Sequence, residues 1–264
     1  MLTFVGLGLY DERSVTVAGR DAIRSADRVV AEFYTSKLAG ATLAELESYH
    51  DTEIEVRDRA GVEQSPDDIL DDAADSEVVF CTAGDTMIST THTDLRLRAH
   101  DRGIETRVVH GTTAQAAASS LTGLQNYRFG KATTLPFERS HAGDELPDSV
   151  PRTIEENRER GLHTLVFLDI DAANDDYMRA DHAAEVLGEA DDDRLGADSL
   201  GVVVARAGST DPVVRADRLS TLATESFGDP LHLLVVPGTL HYIERDALAA
   251  LGGAPDTVLA EHTE

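Results

Sequence analysis

The residues best placed to hold a ligand form a glycine turn near the start of the chain. An apolar run over residues 2–5 leads into Gly6 and Gly8, and Asp11 follows three residues later. Alternating glycines after an apolar strand let a ligand approach the backbone closely. A dinucleotide fingerprint would carry a third glycine at position 11, where the carboxylate of Asp11 instead repels a pyrophosphate. The turn favours a ligand without phosphates, and a tight turn that holds no ligand is the alternative.

A second turn follows another apolar run. Residues 77–82 are typical of a buried strand, and Gly84 and Asp85 come directly after them. Loops at the carboxyl ends of strands are the usual ligand positions in open α/β sheets. A Gly-Asp pair by itself indicates only a turn. Together with the first glycine turn, it predicts two loops that face one crevice.

Other candidate reactive residues carry weaker signals. Taken alone, His232 is interpreted as a core or surface histidine. His92 and Asp94 stand near a helix start but lack the further ligands of a metal site, so no metal is predicted. Cys81 lies within an apolar run, which predicts an inert buried thiol. The sequence contains neither a G-x-S-x-G nucleophile elbow nor a P-loop pattern.

The elements that must position these residues alternate between β-like and α-like segments. This alternation predicts an α/β fold with a mostly parallel sheet and covering helices. Strands are predicted over residues 2–5, 29–31, 54–56, 77–82, 107–110, 164–170, 200–206 and 231–236. Helices are predicted over residues 17–26, 95–101, 152–160, 180–189 and 240–251, and one more begins at Ser65 as a side-chain cap, followed by Pro66 and two acids.

Two domains are expected, 1–122 and 123–264, because the stretch from residue 110 to 123 turns small and polar. Small-ligand sites often lie between such halves, so we expect a shared cleft. Residues 189–193 are predicted to form an acidic, solvated loop.

The composition is strongly acidic, with 49 acidic against 23 basic residues and a formal net charge of −26. Lys37 and Lys131 are the only lysines. Such a chain repels itself at low salt, which predicts adaptation to a salt-rich cytoplasm. The charge argues against binding to nucleic acid or to an anionic membrane. The single cysteine, the lack of about 18 uninterrupted apolar residues and the lack of a visible signal peptide favour the cytoplasm.

Several segments, in order, resemble the diphthine synthases, a group of the tetrapyrrole methylase-like methyltransferases. The resemblance covers almost the whole chain and rests on MLTFVGLGLYDERSVTVAGRDAI, AEFYTS, STTHTDLRLRA, SLTGLQNYRFGKA, GLHTLVFLDI, VVVARAGS and FGDPLHLLVVPGTLHYIE. Two segments depart from the family pattern. The usual Gly-Asp-Pro turn has Thr86 in place of proline, and the stretch from His110 to Ala114 reads His-Gly-Thr-Thr-Ala.

The resemblance implies a fold, a cofactor and a reaction. The fold is the two-domain tetrapyrrole methylase-like α/β fold with a cofactor cleft between the domains, usually in a homodimer. The reaction is successive methylation, by S-adenosyl-L-methionine, of the amino group of a 3-amino-3-carboxypropyl-modified histidine on translation elongation factor 2, within diphthamide synthesis. The implied cofactor contacts are Leu9, Asp85, Ile88, Thr113, Ala114, Leu168, Ala207 and His232. No catalytic residue is assigned.

Two alternatives stay open. The chain could methylate a tetrapyrrole or another small molecule on the same fold, since a fold does not determine a substrate. It could also be a non-catalytic protein that binds the elongation factor, with Thr86 and the altered stretch after His110 marking a lost cofactor site.

Overall fold

The computed structural model describes residues 1–140, 146–190 and 195–262. The chain divides by its internal contacts into two compact units. The first unit is Met1–Ala114 with Asp171–Asp175, and the second is Gln115–Ile170 with Asp176–Glu264. The predicted domains, 1–122 and 123–264, stay a prediction, because a division by contacts does not test whether each part folds alone.

The first unit is built on a five-stranded parallel sheet in the order β3-β2-β4-β1-β5. Its strands are β1 (Leu2–Gly6), β2 (Arg28–Glu32), β3 (Glu55–Val56), β4 (Val78–Thr82) and β5 (Thr106–Val109). β1 and β4 are adjacent and wholly buried, which is why both are continuous apolar runs in the sequence. The five strands predicted in this half are confirmed, with ends that differ by one residue.

Four helices of the first unit cover this sheet: α1 (Val17–Ser25), α2 (Leu43–His50), α3 (Asp67–Asp75) and α4 (Thr93–Asp101). The side chain of Thr16 caps α1, and Thr42 and Glu45 form a capping box at α2, which the sequence analysis did not predict. The predicted cap at Ser65 is wrong. That residue ends the preceding turn, Ala60–Gln64, and no side chain caps α3.

The second unit contains a mixed sheet in the order β11-β10-β12-β7-β6. Its strands are β6 (Thr133–Leu135), β7 (Thr164–Leu168), β10 (Leu200–Ala205), β11 (Val213–Arg218) and β12 (His232–Val236), while β8 (Ile170–Asp171) and β9 (Asp176–Tyr177) form a separate short pair. Only the β6–β7 pairing is parallel among the described strands of this sheet. The expectation of a mostly parallel sheet is therefore wrong here. A short connection joins β10 directly to β11, and such a connection makes antiparallel neighbours.

The helices of the second half are α5 (Ala114–Thr122), α6 (Ser149–Arg158), α7 (Ala180–Gly188), α8 (Leu219–Leu222), α9 (Tyr242–Gly252) and α10 (Asp256–Ala260). The second-unit core packs around Ile154, Val166, Leu187 and Leu234, none of which is exposed. In the predicted acidic loop, residues 191–193 lie outside the described residues. No helix in the described part of the chain is long and apolar enough to cross a membrane.

Candidate functional site

The carboxyl ends of β1 and β4 are joined backbone to backbone by two glycines. The amide of Gly8 donates to the carbonyl of Gly84 at 3.1 Å, and the amide of Gly84 donates to the carbonyl of Gly8 at 2.7 Å. The amide of Leu7 adds a bond of 2.9 Å to the carbonyl of Thr82. The two predicted glycine turns therefore lie side by side at one edge of the first sheet.

A third glycine closes this edge. A Cβ atom built on Gly6 would lie 2.5 Å from the Gly84 carbonyl oxygen and 2.6 Å from the Gly111 nitrogen. Such distances leave no room for a side chain, so Gly6 and Gly111 are required by close backbone packing. Gly84 differs, since its φ is +76° and a Cβ there would meet nothing within 4 Å. The main chain of Gly6, Gly8, Gly84 and Gly111 therefore forms one surface, which we call the backbone floor, with open space above Gly84.

Asp85 ties the loop after β4 to the chain that follows β5. Its side chain is 3% exposed, and its Oδ1 accepts a hydrogen bond from the amide of Met87 at 2.9 Å. Its Oδ2 accepts from the amide of Gly111 at 3.2 Å and lies 2.8 Å from Nδ1 of His110. Both oxygens of the carboxylate are therefore used in contacts that hold the two loops together.

The other first-unit residues implied as cofactor contacts lie around this floor. Ile88 is 44% exposed, unusual for a large apolar side chain, and Leu9 is half-buried. The amide of Leu9 donates to Oγ of Ser14 at 2.8 Å, which holds the first turn. Thr113 and Ala114 follow Gly111 at the start of α5 and are half-buried. The structure thus brings the first and second turns together through their glycines, and Asp85 links them to the stretch after β5 that contains His110 and Gly111.

Asp11 has a structural role that the sequence analysis did not predict. Its side chain accepts from the amide of Arg13 at 3.0 Å and so caps the turn Glu12–Ser14. It also forms an ion pair of 2.6 Å with the guanidinium of Arg13. Part of the charge expected to repel a pyrophosphate is therefore neutralised. The missing third glycine is the stronger departure from the dinucleotide fingerprint.

A buried polar network lies behind the loop after β4, and the sequence analysis did not find it. Neither Glu32 nor His92 exposes its side chain, and Oε1 of Glu32 lies 3.5 Å from Nε2 of His92. The other ring nitrogen of His92 lies 3.2 Å from the carbonyl oxygen of Thr86. The hydroxyl of Tyr34 is 3.4 Å from Nε2. Burial lowers the pKa of His92 and raises the pKa of Glu32, so burial disfavours the charged form of each.

Thr86, which stands where the family pattern has proline, is completely buried. Its carbonyl accepts from the hydroxyl of Thr90 at 2.6 Å, while its own Oγ1 has no hydrogen-bond partner among the described residues. The loop keeps its bonds to Gly8 and Gly111 with threonine at this position. The substitution therefore leaves the backbone floor in place.

The remaining implied contacts lie together at one end of the second sheet. Leu168 ends β7, His232 begins β12, and Ala207 follows two residues after Ala205, which pairs with His232. His232 is 4% exposed, and its Nδ1 accepts from the amide of Ala180 at 3.1 Å. Its Nε2 has no hydrogen-bond partner in the described part of the chain. Burial lowers the pKa of His232, while the backbone of Asp229, which lies close to the ring, acts in the opposite direction.

Known proteins similar to this chain share its length and fold. Residues 1–223 match the model of the family described as Tetrapyrrole (Corrin/Porphyrin) Methylases. The chain is 66% identical to the diphthine synthase of Natronomonas pharaonis over 99% of each chain. It is 67% identical to the diphthine synthase of Halobacterium salinarum, over 98% of this chain and 100% of that one. The acidic composition fits these haloarchaeal relatives.

Solved structures agree with these matches. The chain superposes on a crystal structure of diphthine synthase with a TM-score of 0.89, at 38% identity and 98% coverage of both chains. A putative diphthine synthase from Entamoeba histolytica gives a TM-score of 0.84 at 31% identity, over 97% of this chain and 99% of that one. The chain is therefore a methyltransferase of the tetrapyrrole methylase class. Within that class it belongs to the diphthine synthase family.

Proposed function

We propose that this protein methylates the amino group of the 3-amino-3-carboxypropyl-modified histidine of translation elongation factor 2, to give diphthine in diphthamide synthesis. The observation that carries the proposal is full-length identity of 66% to a diphthine synthase. The methyl donor is S-adenosyl-L-methionine, and the protein acts in the cytoplasm as a homodimer.

The backbone floor of the first unit fits this cofactor. Gly84 leaves space where any other residue would place a Cβ, so the ligand can lie against main-chain atoms. The exposed part of Ile88 and the half-buried Leu9 supply apolar contacts beside that space. Because the oxygens of Asp85 already bind Met87, Gly111 and His110, Asp85 contacts the cofactor through its main chain. Thr113 and Ala114 add contacts from the loop before α5.

The second unit supplies Leu168, Ala207 and His232 as further contacts. The place of His232 supports this assignment, because His232 begins β12 beside the end of β7, where Leu168 lies. Leu168 is 8% exposed and belongs to the core of the unit, so its side chain shapes the site while its backbone is the contacting group.

The reaction requires little from the protein beyond correct placement of the reactants. When bound, the cofactor supplies a methyl group already activated on a sulfonium. The residues of the protein hold the reactants in line and exclude water, and orientation of this kind is worth about 7–11 kcal/mol in favourable cases. Recognition of the elongation factor relies on shape and hydrogen bonds, because concentrated salt screens the net charge of −26.

Mass spectrometry of the elongation factor tests the proposal. The protein is incubated in concentrated KCl with S-adenosyl-L-methionine and elongation factor 2 that carries the unmethylated amine. We expect successive methyl increments on the modified histidine. A parallel incubation replaces the factor with a tetrapyrrole. Methyl increments on the tetrapyrrole but not on the factor would support the small-molecule alternative. Absence of cofactor binding by calorimetry, together with retained binding of the factor, would identify a non-catalytic protein.

A further inference from the structure

Asp85 and His110 form a carboxylate–histidine pair at the edge of the first sheet. Oδ2 of Asp85 lies 2.8 Å from Nδ1 of His110; Asp85 belongs to the loop after β4, and His110 directly follows β5. The two side chains differ in environment, since that of Asp85 is 3% exposed and that of His110 is 76% exposed. Within the described residues, Asp85 is the only charged group within ion-pair distance of His110.

The pair sets which ring nitrogen carries the proton. A carboxylate can only accept hydrogen bonds, so Nδ1 of His110 is the donor. The neutral ring therefore has its lone pair on Nε2. The backbone amide of Gly111 also donates to Oδ2, which holds the carboxylate against the backbone floor. This arrangement orients the imidazole as a carboxylate orients the histidine of a catalytic triad.

The proposed reaction requires the substrate ammonium to lose a proton before it can attack the methyl group. An aliphatic amine is mostly protonated at neutral pH and has no lone pair for attack until the proton is removed. The loop that carries Asp85 also carries Gly84 and Ile88, against which the cofactor is proposed to lie. We propose that Nε2 of His110 is the general base that accepts the proton of the substrate ammonium, with Asp85 as its positioning residue. This inference rests on the proposed function.

The step balances as follows. The N–H bond of the ammonium breaks and its proton passes to Nε2 of His110, which gives an imidazolium that Asp85 stabilises. The freed electron pair of the amine forms a bond to the methyl carbon while the methyl–sulfur bond breaks, its electron pair remaining on sulfur. The methylated product is again an ammonium. His110 releases its proton to bulk water, which its exposure allows, and is ready for the next methylation.

Replacement of His110 by asparagine separates the two functions of the ring. In His110→Asn the amide nitrogen takes the place of Nδ1 and keeps the hydrogen bond to Asp85, but nothing replaces Nε2. We expect cofactor affinity by calorimetry within twofold of the unaltered protein. We expect the single-turnover rate of methyl transfer at pH 7 to fall by about 10²-fold or more, the usual range for a general base, and the deficit to shrink as the pH rises. The same measurements are made on His110→Gln and on His100→Gln, which is the control at an exposed site.

A second readout does not depend on activity. The ¹⁵N chemical shifts of the His110 ring, assigned by their loss in His110→Asn and measured at a pH where the ring is neutral, should show a protonated Nδ1 and an unprotonated Nε2 in the protein without cofactor. An unprotonated Nδ1 would overturn the proposal, as would wild-type transfer rates in His110→Asn at every pH. Weaker cofactor binding with an unchanged rate at saturation would also overturn it, since the ring would then serve only the loop. If the unaltered protein neither binds the cofactor nor methylates the factor, the proposed function itself fails, which is a distinct result.

Discussion

His163 and Glu244 meet in the interior of the second unit, 81 residues apart in the sequence, with Nε2 of one 3.1 Å from Oε1 of the other. Neither side chain is exposed. Nδ1 of His163 accepts from the amide of Gly238 at 3.1 Å, so Nε2 carries the proton that is donated to Glu244. The same carboxylate accepts from the backbone amides of Gln125 and His241, each at 2.9 Å. One buried carboxylate thus holds three separate stretches of chain.

Removal of that carboxylate should be strongly destabilising. Glu244→Ala leaves a buried ring N–H and two backbone amides without their acceptor, and breaking a buried pair of this kind costs about 3–5 kcal/mol. Urea unfolding in constant KCl measures the change. The exposed Glu156→Ala in α6 is the control and should stay within about 0.5 kcal/mol. Equal effects of the two substitutions would mean that Glu244 contributes little.

His50 should make the protein sensitive to acid. It is completely buried at the end of α2, and neither ring nitrogen has a partner in the described residues. Burial, together with the nearby Arg24 and Arg20, lowers the pKa of His50 from 6.5 to about 4. Because the pKa is lower in the folded state, the unfolded chain binds more protons below pH 6.5. The stability gained from a neutral His50 is therefore complete above that pH and is lost as the pH falls toward 4.

The size of this effect is roughly 3 kcal/mol, since one pKa unit corresponds to about 1.4 kcal/mol. The free energy of unfolding should fall between pH 7 and pH 4 in the unaltered protein. In His50→Leu we expect this fall to be smaller, by about 3 kcal/mol. Replacement of the exposed His100 by leucine should leave the pH dependence unchanged. An acid limb that is identical in His50→Leu and the unaltered protein would contradict the prediction.

Gly84 and Gly103 offer a matched pair for testing the backbone floor. Both have positive φ, +76° and +71°, and a Cβ on either would meet nothing within 4 Å. Alanine at each position should cost about 1 kcal/mol of stability because of the left-handed backbone. Only Gly84→Ala should weaken binding of S-adenosyl-L-methionine, by tenfold or more, measured by calorimetry in concentrated KCl. If the two variants bind the cofactor equally well, the cofactor does not lie over Gly84.

The cluster of carboxylates around Arg28 should make the free energy of unfolding depend on the salt concentration. The guanidinium contacts Glu55 at 2.7 Å, Asp68 at 2.8 Å and Asp72 at 2.7 Å. In Arg28→Met these carboxylates repel one another with less compensation. We expect a loss of about 1 kcal/mol at the lowest KCl concentration that keeps the protein folded, and little loss at about 3 M, where the Debye length is below 3 Å. Arg20→Met, at an arginine whose guanidinium contacts the neighbouring Asp21, should show no such salt dependence.

The sequence predicted the elements whose pattern follows directly from burial. β1 and β4 are wholly buried apolar runs, and the glycines after them must pack backbone against backbone, so both signals were visible. β11 was missed because its sequence, VVRADR, mixes charged and apolar residues, as an edge strand can. α5 was missed because its alanines and serines resemble a small, polar linker, although Ala117 and Ala118 are buried.

The polar contacts could not be predicted, because they join residues far apart in the sequence. Tyr34 and His92 are 58 residues apart, and Asp85 and His110 are 25 apart. Each pair forms only because parallel strands of one sheet place their carboxyl ends at the same edge. Sequence spacing alone gives no such distance. The segments AEFYTS and STTHTDLRLRA contain Tyr34 and His92, but only the folded structure shows that the two residues share one network.

The burial of Cys81 has a practical consequence for work on this protein in solution. It is the only cysteine of the chain, its thiol is completely buried in β4, and burial raises the pKa of that thiol. The folded protein therefore does not react with maleimide reagents. A single cysteine introduced at the exposed Leu97 would be labelled selectively with a fluorophore or spin probe, with no need for a cysteine-free background.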